Sequence, residues 1–248
     1  MEEPTASVGL MAEGGIEMTH SLATVVCGGT LPKFPGGVRP SVICDNSDNK
    51  LSPCQAYQEI LEMCESDILV YTHSDVTIHD PEWLLNVLLV IGYFPNVVAV
   101  GLGGALSLGN KDLYRKPYNI RNMARGHYMS NQTDAQIHGE RFTGVHRVAV
   151  LDAFFMAIRT DWLRSIGGWP TKHLTHHCLD LWLACEAARH NKGIWMTGVS
   201  CTHHGGGTSV KPIYKDAKWL QAGSLESDHI LPHLWLYNEY RDVLPIEV

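Results

Sequence analysis

The sequence predicts an α/β domain built on a mostly parallel sheet with helices on both faces. Short apolar runs alternate with segments of helical periodicity along most of the 248 residues. Runs such as Ile68-Leu69-Val70-Tyr71 and Val97-Val98-Ala99-Val100 lack polar alternation, as expected of strands covered on both sides. Two of the runs end in histidine-bearing motifs, at the strand tips where open α/β sheets bind ligands.

Ala23 to Cys27 and Ser41 to Cys44 read as short buried strands. Between them, Thr30 to Pro40 holds three prolines and two glycines, so no helix is expected there. Gln55 to Cys64 reads as a helix with Tyr57, Ile60, Leu61 and Cys64 on one face. The strand Asp67 to Thr72 follows. Asp80-Pro81-Glu82 then opens a helix, with Asp as cap and Pro in the first turn. Trp83, Leu84, Val87, Leu88 and Ile91 supply its buried face. Val97 to Gly101 is the next strand, and Val148 to Leu151 leads to Asp152 and the apolar run Phe154 to Ile158. Thr160 to Ile166 reads as a short helix stopped by Gly167-Gly168. Leu179 to His190 is helical, and Ile194 to Thr202 returns as a strand into His203.

A chain of this length with 45% hydrophobic residues can bury one sizeable core. Residues 20–248 are expected to form one domain after a disordered tail, 1–19. Seven cysteines are scattered without C-x-x-C spacing, and their odd number argues against a disulfide framework. Cys27 and Cys44 fall inside apolar strands and read as core residues. No apolar stretch reaches the roughly 18 residues of a membrane span. The first residues lack the basic start of a secretory signal. A reducing cytoplasm, bacterial or in a virus-infected cell, is the expected setting. The net charge of −7 is uneven. Lys111 to Arg147 holds seven Lys/Arg against three acids, a net +4, leaving −11 elsewhere. That loop-rich basic stretch, within 105–147, is either a solvated loop or a cover that meets an anionic substrate.

The chemistry concentrates at His73-Ser74-Asp75, directly after the strand Asp67 to Thr72. An imidazole and a carboxylate two residues apart in extended chain point to one side. Both suit a divalent cation such as Mn²⁺ or Mg²⁺. A second pair, His203-His204, opens onto Gly205-Gly206-Gly207. Together they imply a metal site assembled at one sheet edge from two distant parts of the chain.

The ordered set of motifs resembles the GT-A glycosyltransferases, a Rossmann-like fold, and within them glycosyltransferase family 2. The matching pieces are Val42 to Ser47, Ser66 to Asp75, Met156 to Trp169, Asp180-Leu181-Trp182-Leu183 and His203 to Ser209. They span about residues 21 to 210. The resemblance implies transfer of a sugar from a nucleotide-sugar donor, UDP-linked by expectation, to a hydroxyl, with inversion. It implies that His73 and Asp75 take the family's D-x-D position and that His203 completes the metal site, with His204 either replacing it or packing nearby. Asp45, at a strand tip, would meet the nucleobase or ribose, with Gly28 also on the donor side. The acceptor would be a glycan or lipid carrier, or a hydroxymethylated base in DNA.

One departure concerns the general base. Family members carry E-D-x-D, and the first aspartate is the base. Here the stretch reads His177-Cys178-Leu179-Asp180, so the base position falls on Cys178. Asp180, Asp152 and His177 are the candidates that remain, and Asp180 could instead cap its helix. Two other functional classes stay open: a nucleotidyltransferase using the same metal, and a module that binds nucleotide sugars or glycans without catalysis.

Overall fold

In a computed structural model of the protein, residues 10–11, 17–26, 30–109, 121–125, 128–130, 136–137, 143–204 and 225–248 are described. The chain order is β1 (His20–Val26), β2 (Val42–Asp45), α1 (Pro53–Met63), β3 (Ile68–His73), β4 (Val76–Ile78) and α2 (Trp83–Tyr93). β5 (Val97–Gly101), β6 (Gly103–Leu108), β7 (Arg121–Arg125), β8 (Tyr128–Ser130), β9 (Val145–Val148) and β10 (Phe155–Arg159) follow. The chain ends through α3 (Thr160–Ser165), α4 (Leu179–Arg189), β11 (Gly193–Thr197), β12 (Cys201–His203) and α5 (Leu225–Glu239).

Among the described residues, the main sheet has seven strands in the order β9-β11-β5-β10-β3-β1-β2. β1 runs parallel to both β2 and β3, and β11 runs parallel to β5. Between these parallel groups lies β10, antiparallel to both β3 and β5. The central strands β3, β5 and β10 are apolar almost throughout because the pleat sends alternate residues to opposite covered faces, whereas the outer strands β9 and β2 are largely exposed. Leu69, Tyr71, Met156 and Ile158 pack with α1 and α4. Ile68, Val70, Phe155 and Ala157 pack with α2 on the other side. Each such burial contributes about 1.5–3 kcal/mol. A one-residue slip would exchange the two faces, so the register is strongly specified.

The helix ends show what the sequence signals mean locally. α1 starts at Pro53, earlier than the periodicity alone suggests. Ser52 and Gln55 form a reciprocal cap: Ser52 Oγ accepts from the Gln55 N–H (3.2 Å) and Gln55 Oε1 accepts from the Ser52 N–H (2.9 Å). Asp80 does not cap α2 as expected. Its carboxylate accepts the Glu82 N–H at 2.9 Å in a turn just ahead of the helix, which begins at Trp83. No helix fills the stretch after β1; its described part holds a 3₁₀ turn at Pro35–Gly37. Gly167 and Gly168 end α3 with φ of +95° and +74°. At Gly168 a Cβ would also come to 2.5 Å from Gln58 Oε1, so any other residue there meets a strained backbone and must displace that side chain.

The expected strand from Ile194 to His203 is broken. β11 stays in the main sheet, whereas β12 leaves it and pairs antiparallel with β4. β8 pairs with the other edge of β12, giving a small second sheet beside the tip of β3. Most of 1–19 and of the basic stretch lies outside the described residues, although Leu10–Met11 pairs antiparallel with Glu17–Met18. Among the described residues, no helix is long and apolar enough to cross a membrane.

Candidate functional site

The site forms where two segments leave the main sheet for the small one. His73 is the last residue of β3, and its N–H bonds the Phe154 carbonyl at 2.9 Å. Ser74 and Asp75 then make a turn into β4, not the extended step that the sequence suggested. β12 pairs with β4 so that His203 lies opposite Val76, and the His204 N–H bonds the Asp75 carbonyl at 2.9 Å. This ladder carries His203 into the turn. Its Nε2 lies 3.3 Å from His73 Nδ1 and 3.3 Å from Asp75 Oδ1. Phe154, fully buried, stacks on the His203 ring at 5.1 Å between centroids and 21° between planes.

One donor atom from each of His73, Asp75 and His203 lies within 4.8 Å of the others. Burial, and then the charge of His203, lowers the His73 pKa and favours a neutral imidazole. Burial alone would raise Asp75. The hydrogen bond from His203, with the charges of His203 and His73, outweighs it and holds that carboxyl at about 2. A neutral imidazole and an ionised carboxylate are the states a divalent cation requires. Two nitrogens and one oxygen suit Mn²⁺, with coordination positions left for phosphate oxygens.

His204 does not join this cluster. It is exposed, and its Nε2 lies 3.2 Å from Thr77 Oγ1. Asp45 ends β2 at the same sheet edge, since Val25 pairs with His73 and Val26 with Asp45. Its Oδ1 accepts the Ser47 N–H at 3.0 Å and the Ser47 hydroxyl at 2.5 Å, which lowers its pKa. Gly28 lies outside the described residues. So do Lys111, Arg115 and Lys116; β8, from the same basic stretch, runs beside β12 with Ser130 opposite His203.

The carboxylates separated in sequence come together. Asp180 is the second residue of α4, whose N-cap is Cys178. Its Oδ1 accepts the Leu181 N–H at 2.9 Å, and the Ala153 backbone N–H and the Asp152 carboxylate lie close enough to act on its charge. Asp180 keeps some exposed surface, yet burial of its carboxyl and then the Asp152 charge raise its pKa to about 7. His177 lies against His176, ring centroids 4.4 Å apart. Behind the site, Tyr71 OH donates to the Tyr57 carbonyl (3.0 Å) and accepts from Trp169 Nε1 (2.9 Å), tying α1, β3 and the turn after α3 together. Two contacts had no sequence signal: Phe154 against His203, and Cys178 Sγ 3.3 Å from His233 Nδ1 on α5.

Residues 35–215 match the model of a glycosyltransferase-like family. The chain belongs to that family. No significant match was found among curated proteins. Among solved structures, GalNAc-T7 with UDP, GalNAc and Mn²⁺ is similar at a TM-score of 0.50 and 9% identity, over 75% of this chain and 44% of that one. A mannosyltransferase, PcManGT from Pyrobaculum calidifontis in complex with GDP-Man and Mn²⁺, aligns at 0.44 and 12%, over 74% and 56%. A197 from STIV aligns at 0.42 and 13%, over 76% and 87%. The fold of this glycosyltransferase-family member is GT-A. The chain spans less than half the length of the first of these structures and just over half of the second.

Proposed function

We propose that the protein is a metal-dependent glycosyltransferase that moves a sugar from a nucleotide donor to a hydroxyl with inversion. The observation that carries this reading is the convergence of His73, Asp75 and His203 within 4.8 Å at the sheet edge. These three residues would hold Mn²⁺ or Mg²⁺. A bound divalent ion neutralises charge on the departing nucleoside diphosphate without a proton. Asp45, at the end of β2, would face the nucleoside, and Gly28 is the other residue proposed on the donor side; a UDP-linked donor is the first candidate.

Asp180 is the proposed general base. A carboxyl with a pKa of about 7 accepts a proton more readily than an ordinary one, and it still ionises near neutral pH. It takes the acceptor hydroxyl proton as that oxygen bonds to the anomeric carbon. The bond from that carbon to the diphosphate oxygen breaks in the same displacement. Asp152 keeps Asp180 basic through its charge, and His177 is the remaining alternative. This carboxylate pair favours an active enzyme over a binding module, despite Cys178 at the family's base position. His79-Asp80, which a nucleotidyltransferase reading would need beside Asp75, is spent otherwise: His79 Nε2 lies 2.8 Å from Thr202 Oγ1, and Asp80 holds its turn.

For the acceptor we favour a glycan or a lipid-linked hydroxyl over a modified DNA base, because the chain is acidic outside its basic stretch. The test is Mn²⁺-dependent nucleotide release from UDP-GalNAc and GDP-mannose, each with candidate acceptors. Turnover by the native chain that disappears in Asp180→Asn, with Mn²⁺-dependent UDP binding retained, is the expected result. Equal turnover in the variant would remove Asp180 as base. Steep salt-dependent DNA binding would return DNA as an acceptor.

A further inference from the structure

The C-terminal helix α5 lies beyond the residues that match the family, 35–215. It contacts the segment His173 to Arg189 at three levels. The His173 ring stacks on Trp235 at 4.5 Å and 3°. Cys178 Sγ lies 3.3 Å from His233 Nδ1 and 3.6 Å from Nε2. Just past the end of α5, Tyr240 OH donates to the buried Glu186 at 2.5 Å, and the Arg189 guanidinium lies 4.1 Å over the Tyr240 ring.

The middle contact falls on a conformational outlier. Cys178 has φ of +69°, a left-handed conformation that a residue with a Cβ adopts only when its surroundings impose it. It is also the N-cap whose carbonyl accepts the first α4 bond, from the Trp182 N–H at 2.9 Å. The direction of the first turn of α4, which carries Asp180, therefore depends on Cys178. The other end of this loop is held by the Cys54 N–H on the Thr175 carbonyl at 2.8 Å.

We propose that His233 is a positioning residue: by holding Cys178 in its left-handed conformation, it sets the first turn of α4 and keeps Asp180 against Ala153 and Asp152. The catalytic meaning rests on Asp180 being the base, but the positioning itself can be measured without turnover.

The experiment follows the Asp180 carboxyl carbon by NMR titration in the full chain, with Mn²⁺ and UDP as a separate binding probe. The native chain should titrate near neutrality. In His233→Ala the midpoint should fall by about one unit or more, as Asp180 leaves its buried place beside Asp152, while Mn²⁺-dependent UDP binding stays unchanged. His233→Asn, which puts an amide near the position of Nδ1, should restore the midpoint. Cys178→Gly removes the thiol but accepts the left-handed backbone without strain. It should therefore hold the Asp180 midpoint near neutrality, and adding His233→Ala in that background should shift it no further. An unchanged midpoint in His233→Ala, or additive shifts in the double variant, overturns the proposal. So does loss of UDP binding, which would make α5 a general support of the fold. Failure of Asp180→Asn to slow turnover would instead remove the base assignment and leave this measurement standing.

Discussion

His203 Nε2 stands 3.3 Å from His73 Nδ1 and 3.3 Å from Asp75 Oδ1, so one ring nitrogen faces an imidazole and a carboxylate at once. A ring nitrogen can donate to or accept from only one such neighbour well. A cation among the three groups satisfies all of them together. Asp75 supplies the only carboxylate of the set and the only full negative charge.

Asp75→Ala should therefore abolish the stabilisation that Mn²⁺ and UDP confer together. A ligand at 100 times its dissociation constant adds about 2.7 kcal/mol, or roughly 5–10 °C in Tm for a domain of this size. Differential scanning fluorimetry with UDP, with and without Mn²⁺, measures it. His203→Ala should lose most of the same shift, and an unchanged shift in both variants would dismiss the metal assignment.

Turnover should rise with pH through about 7, as Asp180 loses its proton. The largest cause of that raised value is burial, and the second is the charge of Asp152. Asp152→Asn removes only the second, so the rising limb should move to lower pH without returning to the range of an exposed carboxyl. A neutral midpoint alone does not separate Asp180 from His177. Replacing part of the water with an organic solvent does, because a carboxyl's midpoint rises and an imidazolium's hardly moves.

Asp180 should also make the fold less stable in alkali. Its folded pKa is raised from 3.8 to about 7, so its contribution is fully present below pH 3.8 and lost as pH rises through 7. Asp180→Asn cannot ionise and should be more stable than the native chain at pH 8, by on the order of 4 kcal/mol. At pH 4 the two should unfold nearly together in urea. Equal stability at both pH values would mean that the carboxyl is not buried as described.

Gly168→Ala should destabilise the protein by about 1–3 kcal/mol, since it combines φ of +74° with a Cβ 2.5 Å from Gln58 Oε1. That oxygen accepts the Trp169 N–H at 2.8 Å. Its displacement should loosen the Tyr57–Tyr71–Trp169 cluster and blue- or red-shift tryptophan emission. Urea unfolding and fluorescence check both.

The sequence by itself determined the α/β class, the buried strands at Ile68 and Val97, and the helices at Tyr57, Val87 and Leu183, and it marked His73, Asp75 and His203 as candidate ligands. Each of these rests on local information: periodicity, an apolar run without alternation, or a polar motif at a strand's end. The tertiary structure decided how the pieces meet. His73 and His203 lie 130 positions apart, and the β4–β12 ladder, which no local pattern encodes, sets one beside the other. It likewise turned His204 away to Thr77, broke the strand before Cys201, and ran β10 against its neighbours. Asp180 looks like an ordinary first-turn acid in sequence; only its burial in the packed structure, and then the charge of Asp152, raises its pKa. The contact of Cys178 with His233 arises the same way, because a helix can meet a residue 55 positions away only after both have packed on a common sheet.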